Sequence, residues 1–249
     1  GALGYAMLDS RFAEQVVLVT DNLIDGYVFP CSIPQTDVNY IVPVEAIGDP
    51  EGIASGILKL TKNPIQLLLA ETVAKVIEYS GYLKNGFSIQ LGGGGASIAV
   101  SRYMREKMSR QQIKGGFAVG GMTGVFAKML EEGLFEICYD TQTFDTIAIQ
   151  SLRENPRHVE ISSSFYANPW SPGPIINNLD IVALGATEVD LDFNVNVITN
   201  SNGLLMGASG GHSDIAAASR LSIVVMPLIR GRLPMVLNRV KNIVTPGES

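Results

Sequence analysis

The sequence predicts an α/β fold: an open, largely parallel twisted sheet with flanking helices. Two observations carry this. Short runs of strand-forming residues alternate with longer segments of helical periodicity, the pattern of β-α-β units. Glycines also cluster where a predicted strand runs into a predicted helix, at Gly92–Gly95 and in the stretch 115–121. In α/β proteins that is where backbone approaches a ligand.

In chain order, residues 16–20 (VVLVT) read as a strand, followed by a loop that includes 27–37 (YVFPCSIPQTD) and a second strand over 40–44. Residues 50–60 and 64–83 read as helices. The second opens on Pro64, which suits a first helical turn, and places Leu67, Leu68, Val73, Val76, Ile77 and Tyr79 on a mainly apolar face. Residues 87–91 (FSIQL) alternate as a strand does, and a helix follows over 96–108. Beyond the second glycine stretch come a helix over 123–132 and a strand over 135–139. Residues 155–178 hold four prolines and the single Trp and read as loop. Short strands are expected at 180–184, 188–191, 194–198 and 221–225, with another element within 236–244.

The chain has 249 residues, a formal charge of −6, 46% apolar and 17% charged residues. That supplies ample core material, and the acidic balance without a polybasic block excludes a nucleic-acid footprint and a membrane-surface role. No apolar run approaches the roughly 20 residues of a membrane span. The first residues do not read as a secretion signal. Cys31 and Cys138 stand far apart, and both are expected to be reduced thiols of a cytoplasmic protein. The chain lacks an initiator Met and is expected to be a piece of a longer protein.

The densest signal is the segment 199–214, TNSNGLLMGASGGHSD. Asn200-Ser201-Asn202-Gly203 reads as a turn, and a glycine-broken loop runs over 207–211. Two such turns close in sequence can gather backbone N–H groups around a developing oxyanion, with Gly210 and Gly211 as donors. Gly92, Gly93, Gly94 and Gly95 read either as a tight turn or as a phosphate- or thioester-binding loop at a helix N-terminus. Ser97 and Ile98 stand where a dinucleotide fingerprint needs Gly or Ala, so that reading fails. Gly116 and its neighbours read either as close backbone packing in a sheet or as a cleft floor. Asp140 and Asp145 follow a strand end and fit capping better than paired acid–base roles. His212 and His158 read as surface or hydrogen-bonded residues as readily as catalysts, and no second ligand at a metal-site spacing accompanies either. Ser213 lacks a nucleophile-elbow context. Arg230 and Arg232 offer two forked cations, suited either to a solvated turn or to carboxylates.

The turn and loop of 199–211 resemble those of the coenzyme A transferases, whose Ser-Glu-Asn-Gly turn precedes a Gly-x-Gly-Gly loop. Gly-Gly-His-Ser-Asp at 210–214, Phe-Asn-Val-Asn-Val at 193–197 and Pro-Leu-Ile-Arg-Gly-Arg at 227–232 narrow the resemblance to the citrate lyase α-subunit family. It covers nearly the whole chain. It implies a CoA-transferase-like fold, with 1–60 as the tail of a first domain and 61–249 as a second, possibly truncated, domain. It implies a site in which Gly210, Gly211, Ser201 and Asn202 are catalytic. Gly92, Gly93, Gly94, Gly95, Gly116, Asn200, Gly203, His212, Arg230 and Arg232 would bind substrate or CoA.

The implied reaction exchanges acetyl for citryl on a thioester carrier, with no tightly bound cofactor, CoA or the CoA-like prosthetic group of an acyl carrier protein being a substrate. The implied partners are a citrate lyase β subunit and the acyl carrier (γ) subunit, in an oligomer without nucleic acid or membrane. Ser201 stands where the wider family has its nucleophilic Glu, and no sequence neighbour is an obvious base for it. That counts against the alternative of a general CoA transferase or acyl-CoA hydrolase with a glutamyl intermediate. The density of ligand-loop glycines counts against a non-catalytic α/β regulator.

Overall fold

The computed structural model describes residues 1–49, 61–168, 170–207 and 210–243. Its centre is a six-stranded, all-parallel sheet of mixed α/β architecture. The strands are β3 (Ser88–Leu91), β4 (Gly115–Met122), β5 (Phe135–Thr143), β6 (His158–Glu160), β7 (Ile181–Leu184) and β10 (Leu221–Val224), in the spatial order β10-β7-β3-β4-β5-β6. From β3 the chain steps outward through β4, β5 and β6, then returns to lay β7 on the other side of β3. The strand order therefore reverses between β3 and β7, and a crevice opens beyond their carboxyl ends.

Each central strand sends alternate side chains to opposite faces, as the twofold period of a strand requires. Ile181 and Ala183 join Ile89, Leu91, Ala118 and Cys138 on one face, while Val182, Leu184 and Val119 line the other. The first face is covered by helices α2 (Pro64–Tyr79), α3 (Gly95–Gln111), α4 (Gly124–Glu131) and α5 (Thr146–Glu154), which bring Ala70, Ile77, Met104, Phe126, Met129 and Ala148. The second is covered by the short helix α6 (Ser163–Tyr166), a 3-10 turn at Ile175–Asn178 and helix α7 (His212–Ala218), contributing Tyr166, Ile176 and Ile215. Burial on both faces explains why β3, with the mixed sequence SIQL, is buried at every position.

Local chemistry sets several ends. Asn63 Oδ1 accepts from the N–H groups of Ile65 (2.9 Å) and Gln66 (3.3 Å) ahead of Pro64. Asp145 fulfils the capping expectation: its carboxylate accepts from Ala148 N at 2.8 Å at the start of α5 and from Gly124 N at 2.6 Å at the start of α4. Asp180 ties the amino ends of β3 and β7 together, its Oδ2 accepting from Ser88 N at 3.0 Å while its own N–H donates to Ser88 Oγ at 2.8 Å.

The remaining strands lie outside the main sheet. β1 (Val17–Thr20) pairs in parallel with β2 (Tyr40–Pro43), and both are largely exposed. β8 (Glu188–Asp190) lies between β9 (Val195–Asn196) and β13 (Val236–Leu237), and β11 (Ile229–Arg230) forms a hairpin with β12 (Leu233–Pro234). A seven-residue helix α1 (Ala6–Phe12) precedes β1.

Several sequence expectations change. The helix expected over 64–83 ends at Tyr79, and its buried stripe is Ala70, Val73, Ala74 and Ile77. Leu68, Val76 and Tyr79 point outward, because only one narrow face of the helix is covered, and it packs chiefly against α3. The second glycine stretch is the interior of β4 rather than a passage between elements. β5 extends four residues beyond the expected end. Strand β6, helix α6 and the 3-10 turn at Ile175–Asn178 occupy part of the expected loop, and no element was expected where α5 and α7 stand. The helix expected over 50–60 lies outside the described residues.

Candidate functional site

A cleft of about 440 Å³ occupies the crevice at the carboxyl ends of β3 and β7, within the usual range for small-molecule sites. Gly92, Gly93 and Gly94 leave β3 and form one wall; Gly185, Ala186 and Thr187 leave β7 and form a second. Gly207, Gly210, Gly211 and His212 lead into α7, and Gly4 and Tyr5 of the first segment also reach the cleft. The glycine loops at 92–94 and 207–211, more than one hundred residues apart in sequence, thus face one space.

The glycines have different reasons to be glycine. Gly92 N–H donates to Ala183 O at 2.8 Å and ties the loop to β7. Gly94 is the cap of α3, and no side chain bonds the first turn of that 17-residue helix. Gly94 lines the cleft, so the N-terminal end of the helix dipole faces it. A Cβ on Gly211 would stand 2.6 Å from Tyr166 Cε1, so the ring can lie beneath the loop only because residue 211 has no side chain. Gly210 takes φ +53°, a left-handed turn.

His212 is half-buried. Its Nε2–H donates to Gly185 O at 2.7 Å, joining the two walls. Burial pushes its pKa below the ordinary value, partly offset by that hydrogen bond, so the imidazole is neutral near pH 7. Among the described residues, those lining the cleft include no Lys, Arg, Asp or Glu. What the cleft offers is glycine backbone, a helix terminus and neutral side chains. A helix terminus and neutral donors of this kind can stabilise a negative oxygen.

Other expected site residues are placed elsewhere. Gly95 packs under α2, where a Cβ would meet Gln66 Oε1 at 2.7 Å. Gly116 lies at the amino end of β4, and a Cβ there would meet Gly86 O at 2.7 Å; close packing is its evident role. Asn200, Ser201, Asn202 and Gly203 do form a turn. Asn200 Oδ1 accepts from Asn202 N and Leu204 N, both at 3.0 Å, and Gly203 has φ +75°. The turn stands outside the cleft lining. Ser201 donates to Glu188 Oε1 at 2.6 Å and accepts from Lys241 N at 3.0 Å. Sequence reading saw no partner for Ser201 because Glu188 lies thirteen residues away on another strand. Arg230 and Arg232 are exposed in the β11–β12 hairpin and do not line the cleft. His158 is not in a loop but buried on β6. Its Nδ1 is 3.0 Å from Ser151 Oγ. Its Nε2 is 3.3 Å from Asp140 Oδ2, within ion-pair distance but off the line of a hydrogen bond.

Sequence reading missed Gln90, Ser163, Tyr166 and Thr187 as cleft residues. Gln90 alone carried a signal: it is the polar residue next to last in a buried parallel strand, where a carboxyl-end ligand group is expected.

The fold is CoA-transferase-like. The structure of an acyl-CoA transferase from Escherichia coli O157:H7, in its thioester complex with CoA, covers 94% of this chain and 42% of its own, with TM-score 0.52 and 18% identity; that likeness is one of fold. The chain belongs to the family described as citrate lyase, alpha subunit (CitF), which matches residues 1–249. The citrate lyase alpha chain of Klebsiella pneumoniae is 51% identical over 249 residues, covering 100% of this chain and 49% of its own length. A citrate lyase alpha subunit from Streptococcus mutans, solved in complex with citrate, has TM-score 0.92 and 54% identity, covering 99% of this chain and 49% of its own. The chain thus spans about half the length of the relatives it matches.

Proposed function

We propose that this chain forms part of the acyl-exchange site of a citrate lyase: citrate and an acetyl thioester of a carrier protein give the citryl thioester and acetate. A citrate carboxylate oxygen attacks the acetyl carbonyl, the C–S bond breaks, and a citryl–acetyl anhydride and a carrier thiolate result. The thiolate then attacks the citryl carbonyl, acetate departs, and the citryl thioester forms. Each step passes through a tetrahedral oxyanion. The convergence of the 92–94 loop, the uncapped start of α3 and Gly210–Gly211 on one cleft is the observation that carries this reading. Such donors are worth about 2.7–4 kcal/mol of barrier each. Citrate in complex with the Streptococcus mutans subunit supports the substrate.

Arg230 and Arg232 are not required by this geometry. Any cation for citrate comes from outside the described cleft residues. CoA or the CoA-like group of the carrier acts as substrate rather than resident cofactor. The partners are a β subunit that cleaves the citryl thioester and a γ subunit that carries it, in an oligomeric cytoplasmic complex. Residues 1–60 form the tail of a first domain and 61–249 belong to a second. Trp170, 94% exposed, is a docking point for a partner. Among the described residues no helix is long and apolar enough to cross a membrane.

The test is acetate release from the acetylated carrier protein, with citrate supplied, on the full-length protein. Gly211→Ala is expected to cut turnover roughly 100-fold by displacing Tyr166 and the loop. Ser201→Ala is expected to stay within about 10-fold, since it removes one hydrogen bond outside the cleft. Absence of citrate-dependent acetate release from the unaltered protein, or an acyl group trapped on Ser201, would overturn the reading.

A further inference from the structure

The floor of the cleft holds polar atoms that the protein leaves unsatisfied. Gln90 and Ser163 are each more than nine-tenths buried and both line the cleft, yet Gln90 Oε1 and Ser163 Oγ have no hydrogen-bond partner among the described residues. A buried polar atom without a partner is costly unless something else completes it. Gln90 Nε2 donates to Tyr166 Oη at 2.5 Å, which leaves the phenolic O–H free to donate elsewhere. Burial holds the Tyr166 phenol well above its ordinary pKa, so it stays a neutral donor at physiological pH. Ser163 and Tyr166 are three residues apart on α6 and therefore share a face.

The backbone is shaped to keep these side chains in place. A Cβ on Gly120, which has φ +108°, would stand 2.8 Å from Gln90 Cδ. The missing Cβ of Gly211 gives room to Tyr166 in the same way. A glycine of β4 and a glycine before α7 thus frame one amide and one phenol.

The floor offers one acceptor and two hydroxyl donors, all uncharged. An α-hydroxycarboxylate has the complementary set: one hydroxyl donor beside a carboxylate acceptor. We propose that Gln90, Ser163 and Tyr166 form a specificity subsite for an α-hydroxycarboxylate, whose hydroxyl donates to Gln90 Oε1 and whose carboxylate accepts from the Tyr166 and Ser163 hydroxyls. This rests on the citrate reading and deepens it. The subsite binds the central hydroxyl and carboxylate of citrate and leaves a terminal carboxylate free to react. Gln90 then decides between citrate and propane-1,2,3-tricarboxylate, which lacks only the hydroxyl.

The experiment measures binding of citrate and of propane-1,2,3-tricarboxylate to the full-length protein by calorimetry, alongside citrate-dependent acetate release. The unaltered protein is expected to prefer citrate by at least about 100-fold, as sites that pair a substrate hydroxyl do. Gln90→Met removes the acceptor and is expected to weaken citrate by about 10–100-fold while leaving the tricarboxylate within about 3-fold, because only citrate loses a bond. Retained tricarboxylate binding also reports that the variant is folded. Tyr166→Phe is expected to weaken both ligands alike, by about 10-fold, because both present the carboxylate. Citrate binding with no preference over the tricarboxylate, or a preference unchanged in Gln90→Met, overturns the subsite while leaving the exchange reaction standing. No citrate binding by the unaltered protein overturns both.

Discussion

Strand β1 reads VLVT and strand β3 reads SIQL, and by apolar content β1 has the better claim to a core. The structure reverses this. Val17 and Val19 are about half exposed (53% and 50%), whereas Ile89 is 1% exposed. Both strands lie in parallel pairings. β3 sits mid-sheet with helices on both faces, while β1 has one neighbour and open faces. Burial is therefore a property of what lies above and below a strand, not of its side chains. A two-strand parallel pair is stable only with cover that it does not itself provide. The covered region also carries the cleft, because rigid strands and packed helices are what hold loop glycines at a fixed separation.

The two cysteines sharpen this contrast most. Cys31 is exposed in the first region, and Cys138 is fully buried in β5. Burial, reinforced by the nearby Asp140 carboxylate, pushes the Cys138 thiol up to about 12. Its thiolate is scarce at pH 8, so its labelling by iodoacetamide in the folded protein is expected to be more than about 1000-fold slower than that of Cys31. Peptide mapping by mass spectrometry distinguishes the two; comparable rates would break the comparison.

Truncation of packed side chains gives the next largest effect. Phe135 is 1% exposed, with ring centroids 5.8 Å from Phe87 and 6.0 Å from Phe126. Phe135→Ala is expected to cost about 3–5 kcal/mol in urea unfolding. Val19→Ala in this chain should stay within about 0.5 kcal/mol, as exposed substitutions do. A cost for Val19→Ala as large as that for Phe135→Ala would break the comparison.

The smallest effect is the pH dependence of His212. Its pKa is lowered in the folded state, mainly by burial, so the folded protein binds its proton less readily than the unfolded chain. Stability from this residue is complete above the ordinary histidine pKa and declines as pH falls through it toward the lower folded value. A titration followed by the imidazole NMR signal should show a midpoint below that of a free histidine. His212→Gln should flatten this part of the pH–stability curve. A raised midpoint would mean that the imidazole is not shielded by the cleft wall.

Much of the local structure was legible in the residues themselves. The Asn63-Pro64 start of α2, the Asp145 cap, the turn at 200–203 and the glycine exits from β3 and before α7 follow from backbone preferences acting over a few residues. Family membership was legible too, because its motifs are contiguous. Strand ranges held where β-branched runs were long, but β6 and α6 were hidden in a proline-bearing stretch because each is only three or four residues long.

What only the tertiary structure decided is which of these pieces meet. Glycines at 92–94 and 210–211 share a cleft because the strand order reverses between β3 and β7. Gly116, Arg230 and Arg232 carried the same kind of local signal and lie elsewhere. Ser201 meets Glu188, and Gln90 meets Tyr166, across 13 and 76 residues. Backbone propensity and side-chain period act over one turn or one strand, so the sequence determines elements and their ends. Side-chain meetings over long separations depend on sheet order and on what covers each face, and those are set by the packing of the whole.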